Sequence, residues 1–163
     1  MSVIIDGTNG ITSVTGSASL CVAGPAFSVY QSSAQSIPNA SFTKLQLQTK
    51  TFDTASCFDA TTNYRFTPTV AGYYQLNGQV SIGGAALGYS QISIYKNGSE
   101  YARGSVSPNN TSVGAQSTVS TVVYLNGSTD YVELYVYQNS GGSVTNQNNT
   151  FMNYFSGSMV RSA

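Results

Sequence analysis

Between Tyr74 and Ile82 the chain alternates without a break. Tyr74, Leu76, Gly78, Val80 and Ile82 fall on one side of an extended backbone, and Gln75, Asn77, Gln79 and Ser81 on the other. A period of two with one apolar side specifies an antiparallel strand buried on one face. A short strand at 64–68 leads into it through a turn at Val70, Ala71 and Gly72. The same period recurs at 26–31, at 42–48 (Leu45 and Leu47 on one face) and at 89–96 (Ile92 and Ile94 inward). It returns at 100–106, 117–125, 131–137 and 151–160. Asn97-Gly98 is the strongest hairpin signal, because both residues tolerate positive φ, and Asn126-Gly127 makes the next turn. Residues 51–62 read as a loop or irregular edge. No window has helical periodicity with caps. Eight to ten short strands and no helix predict an all-β, antiparallel β-sandwich or barrel.

Composition then removes function classes. A chain of 163 residues buries a core without staples. Its net charge is zero and only 7% of its residues are charged. Nucleic acid and anionic membranes are recognised through Lys and Arg, so neither is an expected partner. Weak repulsion between copies favours assembly. No apolar run reaches the length of a membrane span, and the opening MSVIIDGTNG lacks a secretion signal. Cys21 and Cys57 read either as packed thiols or as a bridge from the N-terminal region to the loop before Tyr64. With no histidine and no third cysteine, a metal site is not expected.

Residues 1–23 read as an N-terminal arm and residues 24–163 as one head domain. In the arm, Val3, Ile4, Ile5 and Ile11 are apolar between the turn signals Asp6-Gly7 and Asn9-Gly10. Such strands pair with a neighbouring chain or fold back on their own domain. In the head, Val132, Leu134 and Val136 point inward, which puts Tyr131, Tyr135 and Tyr137 on the outer face. Tyr73 and Tyr95 stand in the same relation to their strands. Three readings of these tyrosines stay open: a subunit interface, surface residues covered by loops, or a groove for stacking sugars. Asp53 and Asp59 suit turn capping better than acid–base chemistry. Without histidine a Ser-His-Asp arrangement is impossible. Neither an EF-hand nor a phosphate loop is present. The expectation is a non-enzyme with no catalytic residue and no cofactor.

Four segments carry a family resemblance in order: GPAFSVY from Gly24, Phe66 through Gly72-Tyr73-Tyr74, Ile94-Tyr95-Lys96-Asn97-Gly98, and Phe155-Ser156-Gly157. Over residues 24–160 the chain resembles the globular head domain of the complement recognition subunit, which shares its jelly roll with the tumour necrosis factor superfamily. The resemblance implies a jelly roll of about ten strands, assembled as a homotrimer around aromatic and apolar side chains of one sheet. The implied interface residues are Tyr73, Tyr95, Tyr131, Tyr135, Tyr137 and Phe155. No collagen-like Gly-X-Y stalk and no acidic calcium cluster accompany it.

The opening MSVIIDGTNGIT is instead similar to the starts of tailed-bacteriophage structural proteins, and YFSGSMVRSA looks like the end of phage-encoded versions of the domain. This implies a virion-surface protein assembled in the host cytoplasm. One reading is a capsid decoration (cement) protein docked through its arm on the major capsid protein or another virion component. The alternative is the receptor-binding tip or adaptor of a tail or head fibre, meeting host glycan or protein through loops with Asn109, Asn110, Asn146 and Asn148. A host-encoded binding module is the third.

Overall fold

The structure is a computed structural model that describes residues 3–6, 10–14, 24–83, 88–108, 114–147 and 151–163, the first two ranges as backbone strands only. In chain order the strands are β1 (Val3–Asp6), β2 (Gly10–Val14), β3 (Ala26–Tyr30), β4 (Ser36–Ile37), β5 (Thr43–Lys44), β6 (Thr49–Asp53), β7 (Phe58–Asp59) and β8 (Arg65–Phe66). Then come β9 (Gly72–Ile82), β10 (Tyr89–Lys96), β11 (Ser99–Pro108), β12 (Ala115–Leu125), β13 (Val132–Gln138), β14 (Val144–Thr145) and β15 (Tyr154–Ser162). There is no helix among the described residues.

Among the described residues two large sheets make the head, with β14 and β4 paired as a small third one. One large sheet runs β12-β9-β15-β3-β6 and the other β11-β10-β13-β8-β7, with β5 also pairing β13. Every pairing is antiparallel, and sheet neighbours such as β9 and β15 lie far apart in sequence. This is an all-β jelly roll. The expected count of about ten strands is corrected by the short ones. Among the described residues the head has eight strands of five residues or more, and five of two residues that alternation cannot reveal. Of the stretch 51–62, expected as loop or irregular edge, residues 51–53 belong to the edge strand β6 beside β3, with a shift in register between Ser28 and Val29.

The alternation of β9 lands as its pattern requires. Tyr74, Leu76, Val80 and Ile82 are fully buried, facing Ile92, Ile94, Val132, Leu134 and Val136 of the opposite sheet, all also fully buried. Gly78 sits where a Cβ would come within 2.7 Å of Leu134 Cδ1, so the absent side chain makes room for the leucine. One end of the core is aromatic. Phe27 stacks on Phe66 with centroids 4.3 Å apart and meets Phe155 edge-on at 5.1 Å. Burying one such side chain contributes roughly 1.5–3 kcal/mol. The Tyr74 hydroxyl donates to Val70 O at 2.7 Å, and burial pushes its pKa up to about 12.

Turns follow local chemistry. Asn97 and Gly98 both have positive φ (52° and 80°), joining β10 to β11 as the two-residue hairpin their sequence predicts. Asn126-Gly127 works differently: Asn126 Oδ1 accepts from the N–H groups of Ser128, Thr129 and Asp130. That loop carries the chain from β12 in one sheet to β13 in the other. Asp53 accepts from the N–H groups of Cys57 and Phe58, and Asp59 from those of Thr61, Thr62 and Asn63. Both carboxylates are loop caps.

In the N-terminal segment β1 and β2 pair with each other as a separate two-stranded sheet, Val3 opposite Val14 and Ile5 opposite Ile11. The expectation for these strands is pairing with a neighbouring chain or folding back on the head; within the chain they pair with each other, and each keeps one edge outside that pairing. The two strands are close neighbours in sequence, so bringing them together costs little loop-closure entropy. Cys57 is buried, its thiol 3.4 Å from Ala55 O. Cys21 lies outside the described residues.

Candidate functional site

The six aromatic residues expected at one interface occupy three places. Phe155 is fully buried among Phe27 and the core cluster, so it is corrected from an interface to a core residue. Its position on β15 fixes this: Tyr154 and Ser156 face outward, and alternation sends Phe155 in. Tyr73 lies on β9 in one sheet, whereas Tyr95 lies on β10 and Tyr135 and Tyr137 on β13 in the other. Tyr131 immediately precedes β13. The outer faces of the two sheets point in opposite directions, so these tyrosines cannot form one surface.

On the β12-β9-β15 face, Tyr73 is directly opposite Tyr124, their centroids 5.5 Å apart, and both remain exposed (44% and 41%). Val122 and, at the β6 edge, Phe52 are similarly open. Next to them lies an uncharged polar ladder: Gln75 Nε2 donates to Ser120 Oγ at 2.9 Å, and Ser120 Oγ to Asn77 Oδ1 at 2.9 Å. Lys96 Nζ reaches the edge, donating to Tyr124 O at 2.8 Å while paired with Asp130 at 2.9 Å. Sequence reading missed Val122 and Tyr124. The adjacent Val122-Val123 pair hides the phase of the strand, and the pairing of Tyr124 with Tyr73 is long-range.

On the opposite face the tyrosines largely cover one another. Tyr95 stacks on Tyr135 with centroids 4.0 Å apart, and Phe42, from the loop before β5, leans on Tyr137 at 5.1 Å and on Tyr95 at 5.9 Å. Tyr89 packs 5.7 Å from Tyr137. Arg65 lies 4.3 Å over the Tyr131 ring, a cation–π contact. Lys44 covers the nearly buried Glu133 in a 2.9 Å ion pair. Burial raises the Tyr135 and Tyr95 hydroxyl pKa values, and the carboxylates of Glu133 and Glu100 add to it respectively. Beside these rings a depression of about 240 Å³ is lined by Phe42, Tyr89, Gln91, Arg103 and Tyr137.

Among the expected loop contacts, Asn146 is corrected: it is 2% exposed. Its Oδ1 accepts from the Gln35 N–H at 2.7 Å and its amide donates to Gln31 Oε1, so both ends of the side chain are engaged inside the fold. Asn109, Asn110 and Asn148 lie outside the described residues, as do the side chains of Val3, Ile4, Ile5 and Ile11. Among the described residues no group of three or more acidic or cysteine side chains is placed to hold a metal, and no helix is long and apolar enough to cross a membrane.

No protein-family model matches the chain, and no curated protein sequence does. Solved structures do match. Murine APRIL at pH 5.0 superposes with a TM-score of 0.61 at 11% identity, over 84% of this chain and 99% of that one. Eiger TNF from S. frugiperda superposes with a TM-score of 0.62 at 9% identity, over 86% of this chain and 93% of that one. At such identities the likeness shows a fold, the TNF-like jelly roll.

Proposed function

We propose that this chain is a non-enzymatic structural protein whose head assembles as a homotrimer and whose N-terminal arm docks the trimer on a larger particle. The observation that carries the reading is the exposed, nearly uncharged β12-β9-β15 face with Tyr73, Val122 and Tyr124. Tyrosine gives an interface large rigid contact area and a polar tip that still finds partners. Neighbouring Gln, Asn and Ser side chains exchange hydrogen bonds without the desolvation cost of charges. The opposite face has already spent most of its aromatic area on internal stacking, which leaves the β12-β9-β15 face as the place for a second and third copy.

The larger particle is a virus shell in this reading, and the protein a capsid decoration component. Support comes from the likeness of MSVIIDGTNGIT to phage structural proteins and from the separate β1–β2 sheet. A two-stranded sheet is marginal in water by itself and retains edges able to accept a strand from a capsid subunit. Three arms per trimer would multiply a weak contact by avidity.

The test is the mass of the purified protein in solution, followed by titration onto capsid shells that lack it. A trimer that saturates shells in fixed ratio, and loses binding but not trimerisation on deletion of residues 2–18, is the expected result. A trimer indifferent to shells overturns the capsid role in favour of the fibre tip. A monomer overturns the assembly on which both rest.

A further inference from the structure

We propose that the depression beside Gln91, on the face pointing away from the proposed copy–copy contact, is a binding site for a single neutral sugar ring, such as the end of a surface glycan. Gln91 is 5% exposed yet lines the depression. Among the described residues its only side-chain hydrogen bond is a long one, from Nε2 to Ser93 Oγ at 3.4 Å. Ser93 spends its one proton on Glu100 Oε1 at 2.7 Å, so toward Gln91 it can only accept. This fixes the amide orientation and leaves Gln91 Oε1 buried without a partner among the described residues. A buried acceptor left unpaired is costly, and a ligand donor at that point removes the cost.

The surroundings select the ligand. Arg103 is held by both oxygens of Glu100 (Nε at 2.9 Å, Nη2 at 2.7 Å), so its charge is neutralised locally while Nη1 makes no hydrogen bond among the described residues. No uncompensated cation faces the depression, which disfavours a phosphate or carboxylate. Tyr89, Tyr137 and the partly exposed Phe42 offer aromatic surface. A pyranose combines what these groups require: a C–H face to lie on a ring, and adjacent hydroxyls to donate to Gln91 and accept from Arg103. About 240 Å³ is smaller than the roughly 300–1,000 Å³ of drug-sized pockets and holds one ring, not an extended ligand.

The experiment uses the full chain with a panel of neutral methyl hexopyranosides and N-acetylhexosamines, observed by saturation-transfer and ¹H–¹⁵N NMR at millimolar sugar. At least one glycoside should shift signals of Gln91, Arg103 and Tyr137 together. Phe42→Ala and the near-isosteric Gln91→Met should each weaken that binding about tenfold, as expected for one lost stacking or hydrogen-bonding partner. Phe42→Ala is a surface change and keeps the test readable should Gln91→Met perturb folding. No shift with any sugar, or binding indifferent to both substitutions, overturns the proposal. So does competition by inorganic sulfate, which would make the site one for anions. Loss of self-association in Phe42→Ala would likewise assign the face to a second copy.

Discussion

Gln31 and Asn146, 115 residues apart in sequence, meet side chain to side chain in the buried end of the sandwich. Gln31 Nε2 donates to Gln35 Oε1 at 3.1 Å, which also accepts from the Gln46 N–H at 3.0 Å. Asn153 Oδ1 accepts from the Ser81 N–H at 2.8 Å, and Gln138 Nε2 ties Ile37 O to Gly142 O. Buried amides thus fasten the loops around β4 and β14 to the ends of β3, β9 and β13. Asn146→Leu should strand the Gln31 carbonyl and the Gln35 N–H and destabilise the head by about 2–4 kcal/mol, readable by urea unfolding. A loss under 0.5 kcal/mol would mean that water replaces the amide.

Phe155 gives a second prediction. As a core residue packed on Phe27, its replacement by Ala should cost about 3–5 kcal/mol. Unfolding of a monomeric background would reveal the loss, and it should not vary with protein concentration. An interface residue would behave in the opposite way.

For assembly, the double substitution Tyr73→Ser/Tyr124→Ser should leave the β-rich circular dichroism spectrum in place and weaken self-association by at least tenfold, followed by sedimentation. Tyr95→Ser on the other face should leave the mass in solution unchanged but loosen local packing, because its partner is Tyr135 of the same chain.

Acid should weaken the head. Hydrogen bonds from the N–H groups of Thr62 and Thr61 hold the Asp59 carboxyl far below the ordinary carboxylate range. For Asp53, burial pushes the other way but is outweighed by Lys50 and the N–H groups of Phe58 and Cys57. With folded pKa values below the unfolded ones, both contribute stability that is present above about pH 4 and lost as pH falls through the folded values. Stability should therefore decline below about pH 4. Asp59→Asn should flatten that decline, measured as denaturation midpoints across the acid range.

The pattern of residues was enough to determine a good deal. Alternation identified β9, β10 and β13, chose the inward set Ile92, Ile94, Val132, Leu134 and Val136, and Asn97-Gly98 named its own hairpin. These are local properties: a period of two is written in consecutive residues, and positive φ is a preference of the residue itself. Which sheet each strand joined was not local. Whether Tyr73 and Tyr95 share a surface depends on pairings across dozens of residues. Tertiary structure therefore divided the tyrosines between opposite faces, set Tyr124 beside Tyr73, and drew Asn146 from an apparently polar loop into a buried network. It likewise brought Phe42 over β13 and left Gln91 with a carbonyl unanswered among the described residues. Sequence specified faces because side-chain direction repeats along a strand; only the folded sheets decided which faces meet, because strand order is settled by long-range packing.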